Sequence, residues 1–68
     1  MNTRKEHRDD VDTPQYLREW AAALVAIAGE DEAKIALAGY KALAGNRALD
    51  QADRDIARRR ARALERAL

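Results

Sequence analysis

The chain has 68 residues, so it holds one domain at most, and that domain is near the lower size limit for a stable hydrophobic core. Cysteine is absent, which excludes a disulfide framework, a thiolate nucleophile and a cysteine-based zinc site, and favours a cytoplasmic setting. Charged residues make up 37% of the sequence yet sum to a formal net charge of +1, so overall charge alone indicates neither an acidic nor a basic partner.

The composition also bears on the fold class and on membranes. Alanine and arginine dominate, glycine and proline are scarce and phenylalanine is missing, which favours helix over sheet and is typical of a GC-rich bacterial or phage genome. The longest apolar run, residues 20–28, is well short of the roughly 20 residues that span a bilayer. The charged start of the chain has no apolar signal-peptide segment. We therefore expect neither membrane insertion nor secretion.

Residues 1–11 alternate in charge without an apolar period, which predicts a disordered tail ahead of a single domain at 12–68. The only histidine, His7, lies in this tail without a second histidine or cysteine to share a metal. The acidic residues Asp9, Asp10 and Asp12 lack the glycine and distal glutamate of a calcium loop. The sequence thus predicts no metal site.

The first helix is predicted over 13–28. Asp12 supplies a capping oxygen and has the spacing to form a capping box with Gln15. Pro14 suits the first turn because its missing N–H costs nothing there. Gly29 is expected to end the helix. One apolar stripe runs along this helix and comprises Leu17, Trp20, Leu24 and Ile27, with Trp20 expected as a core anchor. Tyr16, beside the stripe, is expected as a second core anchor with its hydroxyl at the surface.

The second helix is predicted over 31–44. Three acids at 30–32 suit the positive end of a helix dipole, and Asp31 is the expected cap. Gly39 lies inside the helix, where glycine lowers helix stability relative to alanine. Its presence there suggests that another helix backbone approaches it closely. Gly45 and Asn46 are expected to end the helix because both tolerate the left-handed conformation.

This second helix is apolar on almost every side. Ile35 and Leu43 project opposite Ala33 and Ala44, and only Lys34 and Lys41 mark a clearly polar line. A helix of this kind needs neighbours on more than one side, and so short a chain has little to supply them. We therefore expect a protein partner or a homo-oligomer, with contacts at Leu37, Tyr40, Ala44 and Ala33.

The third helix is predicted over 50–67, opened by the cap-like pair Asp50 and Asp53. Arg60 lies in the middle of the apolar line of this helix. Its guanidinium group must therefore extend past the apolar surface into solvent or pair with an acid. Short connections favour an all-α, up-down-up bundle of three helices completed by self-association, with a helical hairpin dimer as the variant. The apolar line comprises Leu49, Ala52, Ile56, Ala63, Leu64 and Ala67.

Arginines on the third helix form the sharpest candidate site. They could contact phosphates or an acidic protein surface. Alternatively they form a solvated face with internal ion pairs, because Asp50 with Arg54, Asp55 with Arg59 and Arg62 with Glu65 have salt-bridge spacing. The candidates are Arg54, Arg58, Arg59, Arg62 and Arg66.

Two functions follow from these features, and neither is enzymatic. Serine and cysteine are absent, and no glycine-rich phosphate loop is present, so we expect neither catalysis nor a cofactor. A helix-turn-helix is disfavoured because the connection at 45–50 is long and the third helix would present acids to DNA. The sequence favours a protein-binding module, an adaptor, subunit or inhibitor. A dimeric nucleic-acid-binding regulator is the alternative, and the near-neutral charge counts against it.

Overall fold

Three helices make up most of residues 13–68, the part of the chain that the computed structural model describes. They are α1, Gln15–Ala28; α2, Glu30–Ala44; and α3, Gln51–Ala67. No strand occurs within this part, so the all-α class and the number of helices are confirmed for it.

The helix ends agree with the predicted ones, and the starts differ by one or two residues. α1 begins two residues late because Pro14 is extended, with φ −56° and ψ 152°; its carbonyl accepts the N–H groups of Leu17 and Arg18. The predicted tail at 1–11, with His7, and the predicted Asp12 cap lie outside the described residues.

A single residue, Gly29, joins α1 to α2. Its φ of 94° is in the region that favours glycine, which confirms it as the end of α1. Its N–H donates to the Val25 carbonyl, and its own carbonyl accepts the N–H of Ala33 at 3.1 Å. The same glycine therefore closes one helix and opens the next. The expected cap, Asp31, lies instead inside the first turn of α2.

The connection from α2 to α3 is a turn built on Asn46. Gly45 has φ −94° and ψ 0°, so the left-handed ending predicted here is wrong. The Asn46 side-chain oxygen accepts the Ala48 N–H at 2.9 Å, and its carbonyl accepts the Leu49 N–H at 3.1 Å. Asp50 stands at the start of α3 as predicted, although its side chain makes no capping hydrogen bond.

The core is small and rich in alanine. Its fully buried residues come from all three helices. Alanine contacts let helix backbones approach closely but bury little area each, so partly buried larger side chains supply much of the apolar contact. The buried cluster comprises Leu17, Ala21, Ala33, Ala63 and Leu64, and the side chains packed on it include Trp20, Leu24, Leu37 and Tyr40.

Several predicted core positions are instead exposed. Tyr16 is 66% exposed, Ile27 86% and Ile56 51%. On α1 the core side is centred on Leu17 and Ala21, and at about 100° per residue both Tyr16 and Ile27 project well to one side of it. α3 likewise faces the core with Ala57, Ala61 and Leu64, which leaves Ile56 outside.

Candidate interaction faces of the second and third helices

The α2 residues that the sequence singled out for association project inward. Ala33 is completely buried, Leu37 and Tyr40 pack against the core, and Ala44 is half-buried. The side that they share faces α1 and α3. Their role in association stays a prediction, but the surface left open on α2 is the opposite one.

We call this open surface the α2 outer face: Ile35, Ala38, Gly39, Ala42 and Leu43. All five residues are exposed, with Ile35 at 65% and Leu43 at 43%. A Cβ atom added at Gly39 would meet nothing within 4 Å, so the close helix contact predicted there is not made by the described part of this chain. A shallow apolar groove runs along one edge, lined by Ala36, Gly39, Tyr40 and Leu43.

Opposite charges flank the two ends of the α2 outer face. Exposed acids at 30–32 occupy the first turn of α2, where the helix dipole favours them. Exposed Arg47 follows the last turn. Lys41 lies on another side of the helix, where its Nζ is 2.9 Å from the Glu65 carboxylate of α3.

We call the corresponding surface of α3 the arginine face: Arg58, Arg59, Arg62 and Arg66. A surface groove lined by Asp55, Arg58, Arg59 and Arg62 brings three of the predicted arginines together. An Asp55 oxygen accepts from Arg58 at 2.9 Å and from Gln51 at 3.0 Å, so one acid offsets part of the positive charge. At helical spacing, Arg66 continues the same side of α3.

Arg54 is separated from the arginine face. It is half-buried and donates to the Gln51 side chain at 3.0 Å, and its buried Nε has no hydrogen-bond partner among residues 13–68. One predicted ion pair differs from the contact that forms, because Asp55 pairs with Arg58 where the spacing predicted Arg59. Glu65 also forms an ion pair with Lys41 of α2, which the spacing did not predict.

Sequence reasoning missed an aromatic contact that involves all three helices. The Arg60 guanidinium lies over the Trp20 ring, 4.8 Å from its centre. Trp20 in turn meets Tyr40 edge to face, with centroids 5.8 Å apart and ring planes at 79°. Arg60 was expected to meet an acid or solvent. This contact could have been anticipated from the tryptophan on the apolar side of α1, because arginine stacks on aromatic rings as well as pairing with acids.

The described part of the chain contains no group of three or more histidine, cysteine, aspartate or glutamate side chains placed to hold a metal ion. None of α1, α2 and α3 combines the length and the apolar character needed to cross a bilayer.

Comparison with known proteins gives no relative: the chain matches no protein-family model, no curated protein and no solved structure.

Proposed function

We propose that this chain is a small, non-enzymatic, cytoplasmic protein-binding module that acts as an adaptor, subunit or inhibitor. The observation that carries the proposal is the α2 outer face. Ile35 and Leu43 are 65% and 43% exposed on a helix whose other side already fills the core. Exposed apolar surface bordered by charged groups is characteristic of binding sites. Acids at one end of the face and Arg47 at the other supply such a border.

Self-association and an up-down-up arrangement of the helices belong to the same proposal. The joint at Gly29 and the short connection at 45–50 support antiparallel neighbours, because short links leave consecutive helices little choice. The core depends heavily on alanine, and covering Ile35 and Leu43 would add apolar burial that the chain alone does not provide.

A display library of amphipathic helical peptides tests the binding function. Peptides selected on the wild-type chain should lose about tenfold or more in affinity for the Ile35→Glu variant, because a carboxylate replaces an apolar anchor. Ile27→Glu is the matched control: it makes the same change at an 86% exposed isoleucine on α1. Equal affinity for wild type and Ile35→Glu would contradict the proposal.

A second candidate function is a dimeric nucleic-acid-binding regulator. The arginine face favours it, because Arg58, Arg59 and Arg62 line one groove and Arg66 follows along the same side. Arginines spaced along a helix suit contacts with successive phosphates. Asp55 within the groove and the near-neutral net charge count against it, so it ranks second.

A further inference from the structure

We infer that the partner of the α2 outer face is a second copy of this chain, bound with the two α2 helices antiparallel and crossing at Gly39. The inference rests on the proposed function, because it names the partner of the same face. Three observations carry it: the open space at Gly39, the apolar residues spaced evenly around it, and the opposite charges at the two ends of the face.

Gly39 marks the crossing point. Glycine weakens a helix interior relative to alanine, and the described part of this chain gives no packing reason for it, since an added Cβ would meet nothing within 4 Å. Ala38 and Ala42 beside it are also small and exposed. A surface of this shape lets a second helix backbone come close, and the fold itself places no helix there.

The larger side chains fit a two-fold axis at Gly39. Ile35 lies four residues before the glycine and Leu43 four residues after it. In an antiparallel pair, Ile35 of each copy therefore lies beside Leu43 of the other. The two-fold axis repeats this contact, so all four exposed side chains are covered. The positions 32, 35, 39 and 42 all lie within α2 and alternate spacings of three and four, as a helix seam requires.

Charge decides the direction. A parallel pair would bring the exposed acids at 30–32 of both copies together, and like charges at that separation repel. The antiparallel pair instead sets the acidic first turn of α2 in one copy, with Asp31, beside the end of α2 in the other copy, where exposed Arg47 lies in the turn that follows Ala44. Opposed helix dipoles favour the same direction.

The arginine face is unsuited to pairing with itself. It carries four arginines with Asp55 as the acid in its groove, so two copies of α3 laid together would place like charges in contact. A symmetric pair through the α2 outer face brings apolar side chains together and so avoids this repulsion.

Cysteine cross-linking tests the register, because the chain has no cysteine of its own. Under mild oxidation, a mixture of Ile35→Cys and Leu43→Cys chains should give the mixed disulfide in preference to either self-linked pair. Identical Ile35 positions would lie about 12 Å apart along the seam, beyond disulfide reach. Ile27→Cys, on α1, is the control for random collision. Self-linking of Ile35→Cys as efficient as mixed linking would overturn the antiparallel register.

Charge reversal tests the ends of the seam. Asp31→Arg and Arg47→Asp should each weaken self-association about tenfold in sedimentation, and the double variant should restore it, because the pair is regained with its charges exchanged. Circular dichroism shows whether the helices persist in each variant. Failure of the double variant to restore association, with helicity intact, would overturn the charge pairing that sets the direction.

Failure of this inference is distinguishable from failure of the proposed function. A wild-type chain that sediments as a monomer up to high micromolar concentration overturns the second copy as partner. If selected helical peptides still bind in an Ile35-dependent manner, the protein-binding function stands with another protein as partner. If neither association depends on Ile35, both proposals fail.

Discussion

The Arg60 guanidinium lies 4.8 Å from the centre of the Trp20 ring and so links α3 to α1 through a cation–π contact. The same ring meets Tyr40 of α2 edge to face. A core made largely of alanine has few large side chains, and this cluster places one from each helix in contact. The cluster therefore stabilises the packing of the three helices against one another.

Replacing Trp20 by alanine should lower the free energy of unfolding by about 3 to 5 kcal/mol, because the ring packs against the core and two other helices lose their contact with it. A loss of this size unfolds most domains of marginal stability. Urea and thermal unfolding followed by circular dichroism measure it. Trp20→Phe, which keeps a ring, should lose less. A cooperative transition at an unchanged midpoint in Trp20→Ala would show that the ring faces a partner.

The charge of Arg60 should be measurable apart from its packing. Arg60→Gln should lower the free energy of unfolding by about 0.5 to 1 kcal/mol through loss of the cation–π contact, whereas Arg60→Lys should keep part of it. Arg59→Gln, at the exposed neighbouring position, is the control. Trp20 is the only tryptophan, so its fluorescence should change in Arg60→Gln but not in Arg59→Gln. Identical spectra for the two glutamine variants would contradict the contact.

Replacing Gly39 and Gly29 by alanine should change the free energy of unfolding in opposite directions. Gly39→Ala should raise the free energy of unfolding by about 1 kcal/mol, because the helix gains propensity and the added methyl group meets open space. Gly29→Ala should lower it by about 1 to 3 kcal/mol, because φ 94° with ψ 164° is a backbone conformation essentially restricted to glycine. Chemical denaturation of both variants measures the two signs.

Gly39→Ala carries a second expectation. The same methyl group that stabilises the single chain should weaken self-association, since it stands where the two helices cross. A variant that is more stable and also dimerises more tightly would contradict the crossing at Gly39.

The arginine face should bind nucleic acid only if the second candidate function holds. In that case, anisotropy with labelled duplex DNA, single-stranded DNA and RNA should show binding that falls steeply between low and physiological salt. Replacing Arg58, Arg62 and Arg66 together by glutamate should abolish it while the helices persist. Lys34→Glu, an exposed cation on α2, is the control. Titrations without any change at tens of micromolar would leave the face solvated or in contact with an acidic protein.

The three helices and the joint at Gly29 were predictable because they depend on local signals. A proline near the start of α1, a glycine at its end and acids at the start of α2 act within one turn of the chain. The orientation of each helix was harder to predict. Alanines lie on every side of these helices and each can pack in a core, so the expected stripes extended to Ile27 and Ile56, whereas the fold uses Ala21, Ala57 and Ala61.

The candidate surfaces were predictable only in part. The sequence shows that α2 is apolar on both sides, but tertiary packing decides that Ala33 faces inward and Ile35 outward. The arginine spacing likewise predicted a stripe on α3, yet Arg54 is half-buried, apart from the others. The contact between Arg60 and Trp20 joins residues far apart in sequence, which no local pattern specifies.

Sedimentation equilibrium of the wild-type chain, Ile35→Glu and Ile27→Glu is the most direct measurement of whether the α2 outer face is an interface. From low to high micromolar concentration, the wild type and Ile27→Glu should both convert from monomer to dimer, and Ile35→Glu should stay monomeric because a carboxylate would be buried beside Leu43 of the second copy. A wild-type chain that remains monomeric throughout, or an Ile35→Glu chain that dimerises as the wild type does, would contradict dimerisation through this face.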